Sequence, residues 1–316
     1  MVKNILSKFA IIVGIVLYCG LVMGQTDTLP NSAKIHKPVI NPWSGSLIIN
    51  NQTTELSPKN GLDFVIHHRF TSVENGLSDL FGLYSASNIR LGLQYSITNN
   101  FMVGFGSEKD NKCQEFFLKY RFLTQTRDGV IPVSVAAYAS AAINAREKAY
   151  FGTDYRFANR MSYFTELLIS RKWYERLSTQ LSVSYGHINK VESNRVVSGD
   201  TISETVTYYP KFYNDALGLG IAARFKVIGS WTLVGEFEYP MALGKGGRHG
   251  NSSIPRKLKP KPDAALGFEV STMTHVFQLF VSSYRAIVPQ YNLITNTYDF
   301  TEKSGIMPGF NIIVKF

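Results

Sequence analysis

The sequence has few cysteines, few charged residues and no series of long apolar runs. Its 316 residues include two cysteines, and charged residues make up 18% of the chain. Aromatic residues reach 13%, which excludes a wholly disordered chain. The mean hydropathy is −0.04, whereas a helical membrane protein needs several stretches of about 20 apolar residues. The remaining classes are a globular protein and a transmembrane β-barrel, whose outward and inward residues average to a middling hydropathy.

Motifs for catalysis and for metal or phosphate binding are also missing. The sequence contains no Gly-rich phosphate loop, no cysteine pair for zinc and no His-Glu-x-x-His. The pair His67-His68 would place one imidazole on each face of a strand, so the two cannot chelate one metal ion. Some outer-membrane phospholipases carry a His and a Ser two residues apart on the lipid face, and neither His68, His187 nor His275 has a serine at that spacing. We therefore expect no enzymatic activity, no catalytic residue, no cofactor and no metal.

The N-terminus has the features of an export signal. Lys3 and Lys8 precede an apolar stretch at 9–19, and small or tolerated residues before position 25 predict cleavage after Gly24. An uncleaved anchor helix is the alternative. Cleavage leaves Cys113 as the single cysteine, so the exported chain has no intrachain disulfide. It also leaves 31 basic against 23 acidic residues, a net charge of +8.

Apolar and polar residues alternate with a period of two along most of the mature chain. In residues 89–97, for example, every second residue is Ile, Leu or Tyr, as in a strand with one apolar face. Most such segments have about the 9–11 residues that a tilted strand needs to cross a bilayer. The pattern predicts twelve strands, with fourteen left open: 61–70, 88–98, 101–107, 113–123, 131–142, 160–171, 176–188, 214–227, 231–240, 263–271, 275–286 and 308–316.

The connections between these strands alternate between short and long. Short turns lie at 98–100, 124–129, 172–175, 229–230 and 272–274, and long connections at 71–87, 143–159, 189–213, 241–262 and 287–307. The connection 108–112 is the exception, because it is short although it lies at the end of the strands where the other connections are long. Short periplasmic turns and long extracellular loops are typical of outer-membrane barrels. The expected fold is therefore an all-β, antiparallel, up-and-down barrel over 61–316 in the cell outer membrane of a Gram-negative bacterium.

Two other architectures compete with the barrel. Residues 129–145 form a 17-residue stretch without a charge, which is the lower limit for a spanning helix. A soluble β-sandwich secreted to the periplasm is the second alternative. Neither explains why the long connections would all fall at one end of the strands.

Several segments resemble a known bacterial family. They are HRF at 68–70, GLSDLFGL at 76–83, NIRLGLQY at 88–95, MVGFG at 102–106, KYR at 119–121 and PVSV at 132–135. Together they are similar to a family described as a membrane-bound β-barrel domain of unknown function. The resemblance covers most of the mature chain and implies an outer-membrane barrel. It implies no reaction, ligand or site.

The inward positions of the predicted strands carry both signs of charge in nearly equal numbers. A strongly selective pore would show one sign, so we expect these charges either to pair across the interior or to narrow a channel. The lumen-lining candidates are Arg69, Arg90, Lys119, Arg121, Glu166, Arg224, Lys226, Glu236 and Glu238.

The excess positive charge lies in the predicted loops. Residues 241–262 contain six basic residues, no acidic residue and three prolines, which predicts an extended basic loop. An outward-facing loop would meet phosphorylated lipid headgroups rather than nucleic acid, and a plain solvated loop is the alternative. The basic residues are Lys245, Arg248, Arg256, Lys257, Lys259 and Lys261.

Residues 25–60 precede the predicted barrel and are rich in Pro, Ser and Asn. They include a short apolar run, Leu47 to Ile49. The segment could be a periplasmic lead-in, a partial plug of the barrel or an extra strand.

A barrel of this size has two main functional interpretations. Eight strands fill their interior with side chains and sixteen leave a water channel, so twelve lie between these limits. We predict a narrow passive channel for small solutes. The alternative is a structural or interaction protein that acts through its extracellular loops, and a barrel-embedded enzyme ranks last.

The last residue of the chain generates the first testable prediction. Phe316 ends a predicted strand, as in the C-terminal signal that the barrel-insertion machinery recognises in outer-membrane proteins. Deleting Phe316 should reduce the amount of folded barrel in the outer membrane, measured by heat-modifiable mobility on gels of isolated membranes. Phe316→Tyr, which keeps an aromatic ring at this position, is the control and should leave assembly unchanged. Normal assembly without Phe316 would contradict the prediction.

Overall fold

Twelve strands close into one antiparallel barrel. The computed structural model describes residues 36–152, 154–198, 205–244 and 256–316, so the expected cleavage site after Gly24 lies outside the described residues. The strands are β1 (Leu47–Ile48), β2 (Asn51–Gln52), β3 (Leu62–Arg69), β4 (Asn88–Ser96), β5 (Phe101–Glu108), β6 (Cys113–Leu123), β7 (Ser134–Asn144), β8 (Met161–Lys172), β9 (Leu177–Ile188), β10 (Ser193–Ser198), β11 (Thr205–Pro210), β12 (Asp215–Ile228), β13 (Trp231–Leu243), β14 (Asp263–Ser271), β15 (His275–Ser282) and β16 (Met307–Lys315).

The barrel follows chain order from β3 to β9 and from β12 to β16. It closes where β16 pairs with β3, with Ile312 opposite Ile66, and β9 pairs directly with β12. The remaining strands form two small hairpins, β1–β2 and β10–β11. Closure leaves the spanning sheet without a free edge, which lipid could not hydrogen-bond.

The predicted twelve strands are confirmed, and fourteen is wrong for the barrel. The segments 113–123 and 263–271 match β6 and β14 residue for residue. The largest difference at one strand end is in the segment 275–286, because β15 ends at Ser282. Beyond it the chain turns into the barrel, where Tyr284 is fully buried. The stretch 129–145 is largely strand β7 rather than a helix, and the β-sandwich is likewise excluded.

Alternation along each strand sorts residues onto two faces. In β4, Leu91, Leu93 and Tyr95 are exposed on the outer face. Arg90 and Gln94 point inward and are buried. An apolar outside and a polar inside is the arrangement of a barrel in lipid. The helices of the described residues are short: a single α-helix, α1 (Pro289–Thr295), and four 3-10 segments. None of the described helices is long and apolar enough to cross a membrane.

Long and short connections alternate as expected, with one departure. The turn between β6 and β7 spans 124–133, which is longer than the predicted 124–129. The N-terminal segment pairs with this turn: the Val39 amide donates to the Gln125 carbonyl at 2.9 Å, and the Arg127 amide donates to the Lys37 carbonyl at 2.9 Å. This turn therefore pairs with the N-terminal segment at the rim where that segment enters the barrel.

Candidate functional site in the barrel lumen

The inner face of the wall is lined by buried polar side chains. Charged and His residues at buried inward positions are Asp63, His67, Arg69, Arg90, Glu108, Glu115, Lys119, Glu166, Glu236, Glu238, Asp263 and Glu269. Some pair directly: Arg90 Nη2 lies 2.6 Å from Glu115 Oε2, and Arg224 Nε lies 3.2 Å from Glu269 Oε1. Buried polar groups need hydrogen-bond partners. The ion pairs within the wall leave many of these side chains without a partner on the wall itself.

Residues 37–57, here called the plug, fill the lumen from the end with the short turns. At this rim the Lys172 ammonium donates to the Ile40 carbonyl at 2.8 Å. Further in, β1 is buried, and the Ile49 that follows it is 0% exposed. The plug therefore lies inside the barrel, where the apolar run at 47–49 forms part of its core.

The wall holds the plug mainly by side chains that donate to plug carbonyls. Lys119 Nζ donates to the carbonyls of Ser46 at 2.6 Å and Thr53 at 3.0 Å. Asn311 Nδ2 donates to the Ile49 carbonyl at 2.6 Å. Similar contacts come from Gln180 to Gln52, from Gln278 to Leu47 and from Lys315 to Ser44. Each such bond contributes about 0.5–1.5 kcal/mol net.

Apolar contacts supplement these bonds in three clusters, one of which contains Leu56 of the plug and Met102 of the wall. Trp43, Ile48 and Ile49 pack in a cluster with inward residues of the wall that include Val234 and Phe280. Leu47 packs in a second cluster with Val65, Val276 and Ile313. These wall residues occupy inward positions, where an open lumen would carry polar side chains. Apolar residues at inward positions are thus the sequence signal that indicates a plug, and period-two alternation alone does not reveal it.

Residues 283–296, here called the inward loop, enter the lumen from the opposite end. The loop includes α1, whose residues 290–294 are all buried. Asn292 Nδ2 donates to Asp263 Oδ2 at 2.6 Å, and the Ile287 amide donates to Glu108 Oε1 at 2.8 Å. Gly186 makes room for the helix, because a Cβ at this position would lie only 3.2 Å from Leu293 Cδ2. The lumen is therefore occupied from both ends.

Glu236 joins the plug to the inward loop. Its Oε2 accepts from the amides of Asn50 at 3.1 Å and Asn51 at 3.0 Å. Its Oε1 accepts from the Tyr284 hydroxyl of the inward loop. Arg69 has a similar double role, because its guanidinium donates to the Ile49 carbonyl and lies 5.8 Å from the Tyr284 ring centroid. One carboxylate and one guanidinium on the wall thus contact both segments.

The predicted lumen residues fall into three groups. Arg69, Arg90, Lys119, Glu166, Glu236 and Glu238 are buried inside the barrel. Arg121 and Arg224 are partly buried near the short-turn rim, where Arg121 Nη1 lies 3.2 Å from Glu55 Oε1 of the plug. Lys226 is exposed. Their role as the lining of a conducting channel stays a prediction.

The basic loop is described in part, since Lys245 and Arg248 lie outside the described residues. Lys261 Nζ lies 3.0 Å from Asp299 Oδ2, and Lys257 lies over the Tyr213 ring at 5.3 Å. Hydrogen bonds from Thr301 and then Lys261 hold the pKa of Asp299 at about 2, so this ion pair is present at neutral pH. Arg256 and Lys259 are exposed.

A family model described as "Membrane bound beta barrel domain (DUF5777)" matches residues 43–316. The chain belongs to this family. It is therefore a membrane-bound β-barrel, as the resemblance over most of the mature chain implied. The match begins at Trp43, so the family includes most of the plug as well as the wall. No curated protein matches the chain.

Several solved porins and channels resemble this barrel at low sequence identity and low TM-score. An outer-membrane channel from Pseudomonas putida F1 gives a TM-score of 0.48 at 10% identity, covering 83% of this chain and 97% of the channel. The NanC porin gives 0.45 at 9% identity over 80% and 98%. The KdgM porin gives 0.43 at 9% identity over 81% and 99%. No function follows for this chain from likeness at this level.

The contacts of Lys119 generate a prediction about stability. Lys119→Met removes the donor to three plug carbonyls and leaves buried acceptors short of a partner, at a cost of about 3 kcal/mol. We expect a lower unfolding temperature in detergent and faster proteolysis of the plug. Lys226→Met changes an exposed lysine and is the matched control. Wild-type stability and protection in Lys119→Met would show that these bonds do not hold the plug.

Proposed function

We propose that this chain is an outer-membrane barrel that provides a narrow, gated passage for small polar solutes. In the described state, the plug and the inward loop close the passage. The proposal differs from a permanently open passive channel, because conduction requires at least the plug to shift. The observation that carries it is the chemistry of the contact between wall and plug.

The wall contacts the plug through groups that water can replace. Lys119, Gln180, Gln278 and Asn311 all donate to backbone carbonyls of the plug. If the plug moves, these side chains can donate to water instead and would line a hydrophilic passage. A barrel with a purely structural role could fill its interior with apolar side chains, which cannot hydrogen-bond to water if the plug moves. The polar wall therefore favours a passage over a solid core.

The sequence supports an outer-membrane location. The export signal expected at 1–24, the short turns at one end and the long loops at the other are together typical of outer-membrane barrels. The Phe316 side chain is 76% exposed, and its amide donates to the Leu62 carbonyl at the point of closure. An exposed aromatic at the end of the last strand is available to the insertion machinery. The short turns would then face the periplasm.

The long loops support a second candidate, an interaction protein. Residues 71–87 carry several exposed apolar side chains, and Leu77 and Tyr84 are 78% and 79% exposed. Exposed apolar clusters of this kind are found at protein or membrane contacts. In this interpretation the filled lumen is a permanent brace, and the loops are the working surface.

A disulfide lock distinguishes the two candidates. Thr54 Oγ1 of the plug lies 2.5 Å from Ser170 Oγ of the wall, so Thr54→Cys with Ser170→Cys places two thiols within bonding reach. In a planar bilayer, we expect the reduced double variant to show discrete conductance steps and the oxidised form to show none. A variant that lacks residues 37–57 should conduct more often than the wild type.

The matched control is Thr54→Cys alone, which should conduct equally with and without oxidant because the native Cys113 is buried. Conductance that persists in the locked barrel would contradict gating by the plug. The absence of conductance in all variants, including the one without the plug, would favour the interaction protein.

The exposed part of the basic loop generates a further prediction, on lipid binding. Changing Arg256 and Lys259 to Gln should weaken binding to anionic vesicles at low salt by about 1 kcal/mol per residue, and the difference should shrink as salt screens the charges. Lys226→Gln, at the opposite rim, is the control. If the double variant and the wild type bind vesicles equally, the prediction is wrong and the loop is simply solvated. The further change of Lys257 and Lys261 should add less, because both have partners within the protein.

A further inference from the structure

A small cavity lies where the plug, the inward loop and the wall meet. Its volume is about 20 Å³, enough for one water-sized occupant. Gln52 of the plug, Asn292 of α1 and His67 of β3 are among the residues that line it. All three parts of the closed lumen therefore contribute side chains to one site.

Three polar atoms of residues that line this cavity have no hydrogen-bond partner among the described residues. Gln52 Oε1, His67 Nδ1 and Asn292 Oδ1 are buried without a hydrogen bond, and Asn292 and His67 are only 3% and 4% exposed. The orientation of the Asn292 amide is fixed, because its Nδ2 donates to Asp263. Its Oδ1 is therefore an acceptor in need of a donor or a cation. Buried polar atoms are normally bonded, so these atoms indicate an occupant.

The charges around the cavity favour a positive occupant. Arg90 and Glu115 neutralise each other at 2.6 Å. Glu166 and Glu238 also line the cavity, and no ion pair to either is found among the described residues. Ser184 lies between them: it is opposite Glu166 in the β8–β9 register, and its Oγ donates to Glu238 Oε1 at 2.5 Å.

Lys119 does not supply the missing countercharge as an ion pair. Its ammonium donates to three plug carbonyls at 2.6, 3.0 and 3.4 Å, which uses all of its protons. A buried carboxylate without a countercharge is costly. Lys119 therefore acts on Glu166 only from beyond ion-pair distance, and a proton or a bound cation close to Glu166 and Glu238 would offset the remaining charge.

We propose that the cavity binds one monovalent cation, of the class of sodium, potassium or ammonium. The available ligands are the carboxylates of Glu166 and Glu238 and the amide oxygens of Gln52 and Asn292. Oxygen donors of this kind suit hard cations. No group of three or more His, Cys, Asp or Glu among the described residues is placed to hold a metal ion, which argues against a transition-metal centre. The site belongs to the closed state and does not depend on the proposed conduction.

Thermal unfolding of the full-length barrel in detergent tests the site. Melting temperatures at neutral pH are compared at equal ionic strength in sodium, potassium, ammonium and N-methyl-D-glucamine chloride, the last being too large for the cavity. At least one small cation should raise the melting temperature by several degrees with a saturable dependence on its concentration. Rubidium-soaked crystals should show an anomalous peak between Glu166 and Asn292.

Three variants assign the effect to the cavity. Glu166→Gln with Glu238→Gln should abolish the difference between cations. Gln52→Leu, which leaves the wall intact, should move the saturation midpoint to higher concentration, and it keeps the test decisive if the double variant does not fold. Glu269→Gln is the control, since Glu269 is a buried wall acid that pairs with Arg224. Identical wild-type melting temperatures in all four salts, without an anomalous peak, would overturn the proposal and leave a water molecule as the occupant.

Discussion

The absence of hydrogen-bond partners in lipid is the constraint on which the rest of the structure depends. On the outside it forces the strands to close, and β16 pairs with β3 to leave no free edge in the spanning sheet. Because the outer face must be apolar, the polar side chains face the lumen. A barrel of twelve strands has a lumen wider than these side chains alone can fill. The plug and the inward loop satisfy this second requirement, because they bring backbone carbonyls and amides to the wall.

The two closing segments depend on each other through shared wall residues. Glu236 accepts from the plug amides and from Tyr284 of the inward loop, and Arg69 contacts both segments as well. A shift of either segment removes partners from a carboxylate that is almost completely buried. Because an unpartnered buried charge is costly, the closed arrangement is most stable when both segments are in place. The closed lumen is therefore one unit of structure rather than two separate lids.

The contacts with the plug also explain how a short polar segment can occupy a barrel. Most of the wall's donors bind plug carbonyls, which every residue type supplies. Only a few described positions, Trp43, Leu47 to Ile49 and Leu56, place apolar side chains in a buried cluster. A segment rich in Pro, Ser and Asn therefore suffices, and its composition alone does not distinguish a plug from a linker.

The sequence by itself determined the wall. Period-two alternation, strand length and alternating connection length depend on neighbouring residues, so they predicted twelve strands, and parity placed Arg69, Arg90, Lys119 and Glu236 on the inner face. Only the tertiary structure decided what those side chains bind. Lys119 contacts carbonyls of residues that are 64–73 positions away in the sequence, and Tyr284 contacts Glu236, which is 48 positions away. The pattern also extended the predicted strand 275–286 four residues past Ser282. The sequence does not reveal the conformation of residues 37–57 and 283–296, because it is set by partners on the surrounding wall, which come together only when the barrel closes.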